Sequence, residues 1–467
     1  MKYIIKDSKF ENMMAIKNIT VLGSGIMGHG IAQVASTAGY NIVLRDIEQK
    51  FLDKAMEKIK WSLDKLASKE KISQQEADSI YSRITPIVNL KEAVKDAELV
   101  IEVVPEIMDL KKKVYAELDS VAAPEVIFAS NTSTLPITEI ANTTTRPEKF
   151  IGIHFFNPPQ LMKLVEIIPG EKTSKQVVDM TQEFVKSVNK TAVLCRKDVP
   201  GFIINRLFIP MVHEACYVQD RTGSSLEEID SAVKFKLGFP MGIFELADFT
   251  GIDVIHKATI EMHLRDKKVI LPHPTLEKMF EEKKLGQKSG EGFYKYSDDK
   301  YERVSLSEQL AEKVNPIQLV ANILNNAAWL VTNGASDIEE IEKAAQLGLG
   351  LKKQLFDTAK EIGISKIVNE LNQVPEEQHP EKIEEKPRTE CGPGTVLKDG
   401  VCVLDKRCGP GTILKDGTCV IESAPKVISS PQALGKELVY GLIAAFVVAG
   451  AIGIILALMG KAGKSSD

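Results

Sequence analysis

The sequence predicts an α/β protein: an N-terminal Rossmann-type doubly wound sheet, then all-α C-terminal domains, a small cysteine-repeat segment and a single transmembrane helix. Three observations predict it. Over residues 16–197, short β-branched runs alternate with longer amphipathic stretches, as expected for strands buried on both faces of a parallel sheet with helices between them. After Asp198-Val199-Pro200-Gly201 those runs stop, and helix-length segments separated by Gly and Pro take over, reading as helices over 202–221, 226–236 and 244–263. Residues 438–459 carry no charge and would make about 33 Å of helix at ~1.5 Å per residue, enough to cross a bilayer core.

The chain has 467 residues, 44% hydrophobic and 26% charged, which allows a large core divided among roughly two to four domains. A formal net charge of −5 and the lack of any Lys/Arg-rich block argue against nucleic-acid binding. The first 17 residues mix charge with apolar residues and lack the apolar core of a secretory signal. Cys195 and Cys216 are isolated among apolar neighbours and read as buried small hydrophobes.

Within the first domain, residues 19–22, 41–44, 99–104 and 126–129 read as strands. The first ends in Gly23-Ser24-Gly25-Ile26-Met27-Gly28, where a helix-like stretch opens. Gly23 permits the tight turn, Gly25 lets a pyrophosphate approach the backbone, and Gly28 lets the helix pack on the strand. At the end of the second strand, Asp46 supplies a carboxylate for both adenosine ribose hydroxyls and would repel a 2′-phosphate, so the pattern favours NAD over NADP.

Residues 150–155 and 163–169 read as two more strands, with Asn157-Pro158-Pro159 breaking the chain between them. If they pair, period-two alternation puts His154 and Glu166 on one face of neighbouring strands. An imidazole oriented by a carboxylate suits a base that takes a proton from an alcohol while hydride leaves the same carbon. A lone His in a strand is otherwise a structural hydrogen-bonder, so the surrounding motif has to decide.

Six stretches supply that motif: Val21-Leu22-Gly23-Ser24-Gly25-Ile26-Met27-Gly28, Ser130-Asn131-Thr132-Ser133, His154-Phe155-Phe156-Asn157-Pro158, Met162-Lys163-Leu164-Val165-Glu166, Pro200-Gly201-Phe202-Ile203-Ile204-Asn205-Arg206, and Leu285-Gly286-Gln287-Lys288-Ser289-Gly290-Glu291-Gly292-Phe293-Tyr294. In this order, over residues 16–296, the chain resembles the 3-hydroxyacyl-CoA dehydrogenase family. The resemblance implies NAD-dependent, reversible oxidation of an (S)-3-hydroxyacyl-CoA, short-chain such as 3-hydroxybutyryl-CoA, with His154 as base and Glu166 as its partner. It implies that Ser133 and Asn205 hold the substrate oxygens. Alongside the glycine-rich turn and Asp46, it implies NAD contacts from Glu106, Lys111, Ser133, Asn157 and Lys288, and coenzyme A contacts from Ser62 and Lys69. Read from the residues alone, those last two fit a solvated helix face equally well. Two alternatives stay open: a dehydrogenase for a non-CoA hydroxy acid, and a membrane-tethered NAD-binding protein without catalysis. No resident metal is expected.

The helical region repeats itself. Residues 229–255 can be laid on 341–367 without a gap, so that Gly238 falls on Gly350, 112 residues on, Phe244 on Phe356 and Gly251 on Gly363. Asn205 falls on Ile317, so the second copy lacks the polar substrate contact and is expected to be structural. The family's helical domain commonly mediates a two-fold dimer, and a tandem copy can take the partner's part, giving a homodimer or an intrachain pseudo-dimer.

The expected organisation is therefore 14–198 (NAD-binding), 199–300 (helical), 315–372 (degenerate second copy), 373–390 (linker), 391–420 (Cys repeat) and 438–460 (transmembrane helix). The Glu-, Pro- and Lys-rich linker reads as solvated. The twin units 391–402 and 408–419, each Cys-x10-Cys with Gly-Pro-Gly and Asp-Gly turns, read as small hairpins of a kind that disulfides staple in exported modules. An NAD enzyme without an export signal argues instead for a C-terminal anchor with enzyme and repeats on the cytoplasmic face, the thiols reduced or metal-bound. Lysines flank the uncharged run on both sides and leave orientation undecided.

Overall fold

A computed structural model describes residues 16–373 except 270, 298–299 and 303–304, together with four short strands between residues 395 and 421. The first part contains the strands β1 (Asn18–Leu22), β2 (Asn41–Arg45), β3 (Ile84–Ile87), β4 (Leu99–Glu102), β5 (Ile127–Ser130), β6 (Phe150–Phe155), β7 (Leu164–Pro169) and β8 (Thr191–Leu194). They form one sheet in the order β3-β2-β1-β4-β5-β6-β7-β8. Strands β1 to β6 are parallel, β7 runs antiparallel to β6, and β8 parallel to β7. Strand order reverses between β1 and β4, which makes the crevice at their carboxyl ends the natural ligand position of a doubly wound sheet.

Both faces of the sheet are buried. Ile19, Val21, Ile42, Leu44 and Ile101 pack on one face beneath helices α1 (Ile26–Thr37) and α2 (Gln49–Ser68), against Ile31, Leu52 and Ile59. Leu22, Val100, Phe128 and Phe150 serve the other with Tyr115 and Ile137, and this core runs on into the helical region through Ile203, Leu207, Phe244 and Leu324. Each such side chain contributes about 1.5–3 kcal/mol relative to exposure. β4 stops two residues short of the expected 99–104, because the Glu102 carboxylate takes the Val104 N–H at 2.7 Å and turns the chain out of the ladder.

Helices α3 (Ile204–Thr222), α4 (Leu226–Ser231), α5 (Ile243–Thr250) and α6 (Ile252–Arg265) follow. Two segments that read as single helices are divided. α4 passes into a π-helical turn, Ala232–Lys236. The stretch 244–263 is broken at Gly251, whose φ of 104° no side-chain-bearing residue adopts cheaply.

α7 (Ile317–Thr332), α8 (Ile338–Gly348), α9 (Leu355–Ile362) and α10 (Ile364–Gln373) repeat the sequence of elements. Gly363, at φ 94°, breaks α9 from α10 as Gly251 breaks α5 from α6. Asp230 accepts the N–H groups of Phe244 and Glu245 at the head of α5; Glu342, at the matching position, accepts those of Leu355 and Phe356 at the head of α9. α7 lies along α3.

Residues Asn372–Glu437 form a separate unit. In it Thr395–Lys398 pairs antiparallel with Val401–Leu404, and Thr412–Lys415 with Thr418–Ile421. The registers Lys398↔Val401 and Lys415↔Thr418 leave one Asp-Gly pair to link each couple. Cys391, Cys408, most of the linker and the uncharged run 438–459 lie outside the described residues. Among the described residues, no helix is long and apolar enough to cross a membrane and no His, Cys, Asp and Glu cluster could hold a metal ion.

Candidate active site

β1 delivers the glycine-rich turn to the reversal point of the sheet. A Cβ at Gly23 would come within 2.8 Å of the Val103 carbonyl oxygen, and one at Gly28 within 1.8 Å of the Gly23 carbonyl oxygen. The turn can therefore pack this closely only without those side chains. A Cβ at Gly25 would meet nothing within 4 Å, so the backbone is open there. α1 starts at Ile26 with no side-chain cap, leaving its first N–H groups and the positive end of its dipole for an anion. Ile26 is exposed and Met27 half-buried. Asp46 ties the turn to β2, accepting the Ser24 N–H and hydroxyl at 2.7 and 2.6 Å and the Ile47 N–H at 2.7 Å. An open backbone, an uncapped helix and a half-buried carboxylate at the next strand end fit a dinucleotide. Beside them, burial lowers the pKa of His29, its bond to the Gly25 carbonyl raises it, and the charge of nearby Lys58 lowers it.

β6 and β7 pair with His154 directly opposite Glu166, and Nδ1 lies 2.7 Å from Oε2. His154 is 7% exposed and Glu166 fully buried. The other Glu166 oxygen accepts the Ile203 and Ile204 N–H groups at 3.0 and 2.9 Å. It thus supplies the cap that α3's own flanking residue lacks. A carboxylate only accepts, so Nδ1 carries a hydrogen, and in the neutral ring the lone pair is on Nε2. Phe156 and Phe202 wall the imidazole, with ring centroids 4.3 and 6.2 Å away. Phe202 holds φ 49°, a strained value for a residue with a side chain, in the turn that leads Ile203 and Ile204 to Glu166.

A second carboxylate organises the loop after β5. Glu106 Oε1 accepts from the Thr132 hydroxyl (2.5 Å), the Ser133 N–H and hydroxyl (2.8 and 3.2 Å) and the Thr134 N–H (3.3 Å), and Oε2 lies 3.3 Å from Lys111 Nζ. Burial opposes its charge, but Lys111 and the bonds from Thr132 and Ser133 outweigh that and hold the carboxyl below its ordinary value. Asn205 Nδ2 donates to the Ser133 carbonyl at 3.0 Å, and Asn131 Oδ1 accepts the Phe155 N–H at 2.8 Å. A cleft of about 510 Å³ opens beside Glu106 and Ser133, bounded across from them by Asp253, Val254 and Phe280.

One connected set therefore runs from His154 through Glu166 to the head of α3, and from Asn205 on α3 through Ser133 and Glu106 to Lys111. Lys111 is only 1% exposed and directs Nζ at Glu102 (2.7 Å) and the Val104 carbonyl (3.2 Å) as well as Glu106. Lys288 pairs with Asp253 at the edge of the cleft, and Asn157 is exposed just after β6. Ser62, half-buried on α2, accepts from Gln33 of α1 at 3.0 Å; Lys69 is exposed at the end of α2.

Two supporting residues escape sequence reasoning. Buried Glu102 gathers Lys111, the Ser130 hydroxyl (2.7 Å) and the Val104 N–H. Lys190 donates to the carbonyls of Pro159 and Met162 at 2.6 and 2.7 Å, clamping the loop that follows His154; burial, with Lys163 nearby, lowers its pKa to about 8. Glu102 had one signal, a lone charge inside an otherwise apolar run. Lys190 had none, since only the fold brings its turn beneath that loop.

Residues 18–199 match the family model "3-hydroxyacyl-CoA dehydrogenase, NAD binding domain", and residues 201–296 match "3-hydroxyacyl-CoA dehydrogenase, C-terminal domain". The mitochondrial hydroxyacyl-coenzyme A dehydrogenase of Rattus norvegicus is 41% identical over 288 residues, 60% of this chain and 91% of that protein. The 3-hydroxybutyryl-CoA dehydrogenase of Bradyrhizobium diazoefficiens is 41% identical over 283 residues, 60% of this chain and 96% of that protein. The crystal structure of 3-hydroxybutyryl-CoA dehydrogenase from Escherichia coli matches with a TM-score of 0.69 at 26% identity, over 78% of this chain and 96% of that one.

Proposed function

This chain belongs to the 3-hydroxyacyl-CoA dehydrogenase family, and from that premise we propose how its own residues carry the NAD-dependent, reversible oxidation of an (S)-3-hydroxyacyl-CoA to the 3-oxoacyl-CoA. The observation that carries the proposal is the buried His154–Glu166 pair, 2.7 Å apart. Nε2 of His154 takes the proton of the substrate hydroxyl. Glu166 keeps the Nδ1 hydrogen and balances the charge that forms on the ring. Ser133 turns its one hydroxyl hydrogen from Glu106, and Asn205 offers the amide hydrogen not already given to the Ser133 carbonyl, to the oxygen on which charge changes. Phe156 and Phe202 keep water from the imidazole. NAD, when bound, accepts the hydride from C3. The turn Gly23 to Gly28, Asp46, Glu106, Lys111, Ser133, Asn157 and Lys288 would hold it, with Ser62 and Lys69 toward coenzyme A. Relatives named 3-hydroxybutyryl-CoA dehydrogenase support a short acyl chain.

The domain boundaries 14–198, 199–300, 315–372, 373–390, 391–420 and 438–460 belong to the same proposal. The uncharged run 438–459 supports a single C-terminal membrane anchor, and the use of NAD favours the cytoplasmic face for the enzyme. The packing of α7 along α3 supports an intrachain pseudo-dimer over a homodimer. Light scattering on a chain truncated before Cys391 should read a monomer; a tight dimer through the helical domains would count against it.

The activity is tested with a panel of 3-hydroxyacyl-CoA thioesters assayed for NADH formation. Short-chain thioesters should be oxidised by the wild type, while His154→Gln binds NAD but has lost most turnover. Unchanged turnover in that variant, or oxidation of free hydroxy acids alone, would overturn the reading.

A further inference from the structure

α2 shows solvent a side chain that helices ordinarily bury. Trp61 is 64% exposed, and Phe51 and Leu66 on the same helix are exposed too. Lys65 Nζ lies 4.5 Å from the centre of the Trp61 ring, covering one face with a cation and leaving the rest of the indole to solvent. Lys58, Ser62, Lys65 and Lys69 follow at helical spacing, one stripe about 16 Å long. Trp61 stands three residues after Lys58 and four before Lys65, so it neighbours both. Among the described residues none of these three lysines pairs with a carboxylate, in contrast to Lys60 on the same helix, which pairs with Asp64.

The stripe is tied to the reaction centre at two points. Lys58 acts on His29, one turn into α1 from the open Gly25. Ser62 accepts from Gln33, which accepts in turn from Gln160, in the loop that leaves the His154 strand. An exposed indole flanked by unpaired ammonium groups beside a cofactor turn is complementary to a purine carrying a cluster of phosphates.

We propose that Trp61 is the platform on which the adenine of the coenzyme A thioester stacks, with Lys58 and Lys65 beside its phosphates. This rests on the reading that the substrate is a coenzyme A thioester. Trp61 is a binding and specificity residue that takes no part in proton or hydride transfer. Its removal therefore weakens binding of the nucleotide end and leaves the chemistry of bound substrate intact.

The chain has two tryptophans, so the platform can be read by fluorescence without turnover. Titration with free coenzyme A should quench the wild type saturably, with weaker quenching by dephospho-coenzyme A and none by pantetheine; Trp61→Phe should lose the signal. In kinetics, Trp61→Ala should raise KM for 3-hydroxybutyryl-CoA about tenfold with kcat unchanged, as expected for one lost base stack. KM for the N-acetylcysteamine thioester, which has no nucleotide, should not move, and Trp61→Phe should recover most of the loss. Absence of quenching, or a KM change equal for both thioesters, would overturn the proposal. Failure to oxidise any thioester would instead overturn the assigned reaction, while the quenching experiment still reports on Trp61.

Discussion

Glu166 holds the imidazole of His154 with one carboxylate oxygen, while its second oxygen takes two N–H groups at the head of α3. Substitution by Gln separates these tasks. In Glu166→Gln the amide oxygen has to stay with Ile203 and Ile204, so the NH2 group faces Nδ1 and drives the ring hydrogen onto Nε2, the atom proposed to act as base. Steady-state kcat should fall by about 10²–10⁴-fold, with NADH affinity in a fluorescence titration unchanged. A kcat near wild type would remove His154 as the base.

Gly28→Ala tests the glycine-rich turn. Its Cβ would lie 1.8 Å from the Gly23 carbonyl oxygen, a backbone atom that cannot swing aside. Overpacking of this kind costs about 1–3 kcal/mol, and opening the turn also misaligns the head of α1. Thermal melting should show a lower Tm, and NAD should no longer raise it as it raises that of the wild type.

Glu106 predicts a dependence on pH with a definite sign. Its folded carboxyl is held below the ordinary value of 4.5, so it stays charged in the folded chain after its unfolded counterpart has begun to protonate. Its stabilisation is therefore fully present above the ordinary value and is lost as pH falls below 4.5 through the lowered folded value. The Tm gap between wild type and Glu106→Gln should hold from neutral pH to about 5 and narrow below 4.5. A gap that widens on acidification would contradict the clamp.

Gly348→Ala tests whether the second helical set supports the base. The added Cβ would come within 2.7 Å of Ile204 Cδ1 and 2.9 Å of Leu164 Cδ2. Ile204 donates its N–H to Glu166, and Leu164 shares Glu166's strand. A loss of about 1–3 kcal/mol in a denaturant titration and a lower kcat are expected, with KM for NAD unmoved. A drop in stability with full kcat would limit the second set to a structural role.

The parts legible in the sequence were those with local causes. The switch-point turn could be read because strand, glycines and helix follow one another within a dozen residues. The His154–Glu166 register could be read because a short break joins two alternating strands. What stayed hidden depends on distant segments meeting. Lys190 reaches its loop only through the β7–β8 pairing, and Glu102 gathers its partners from two neighbouring stretches of chain. The bonds of the Lys111 ammonium group to Glu102, Glu106 and a carbonyl likewise have no signal in the sequence. The division at Gly251 was missed for a subtler reason: apolar periodicity continues across it, and only the positive φ reveals the break.

The helices of the second set grip the back of β8 and the turn after it, through Glu340 on the Leu194 N–H, Asp337 on Arg196 and the Ala335 carbonyl on the Arg196 N–H. A brace contributed by a separate molecule drifts away as protein is diluted. One carried on the same polypeptide keeps an effective concentration on the order of millimolar at any dilution. Specific activity should consequently hold steady down to trace amounts of enzyme, because the strand beside Glu166 loses this support only when the chain itself unfolds.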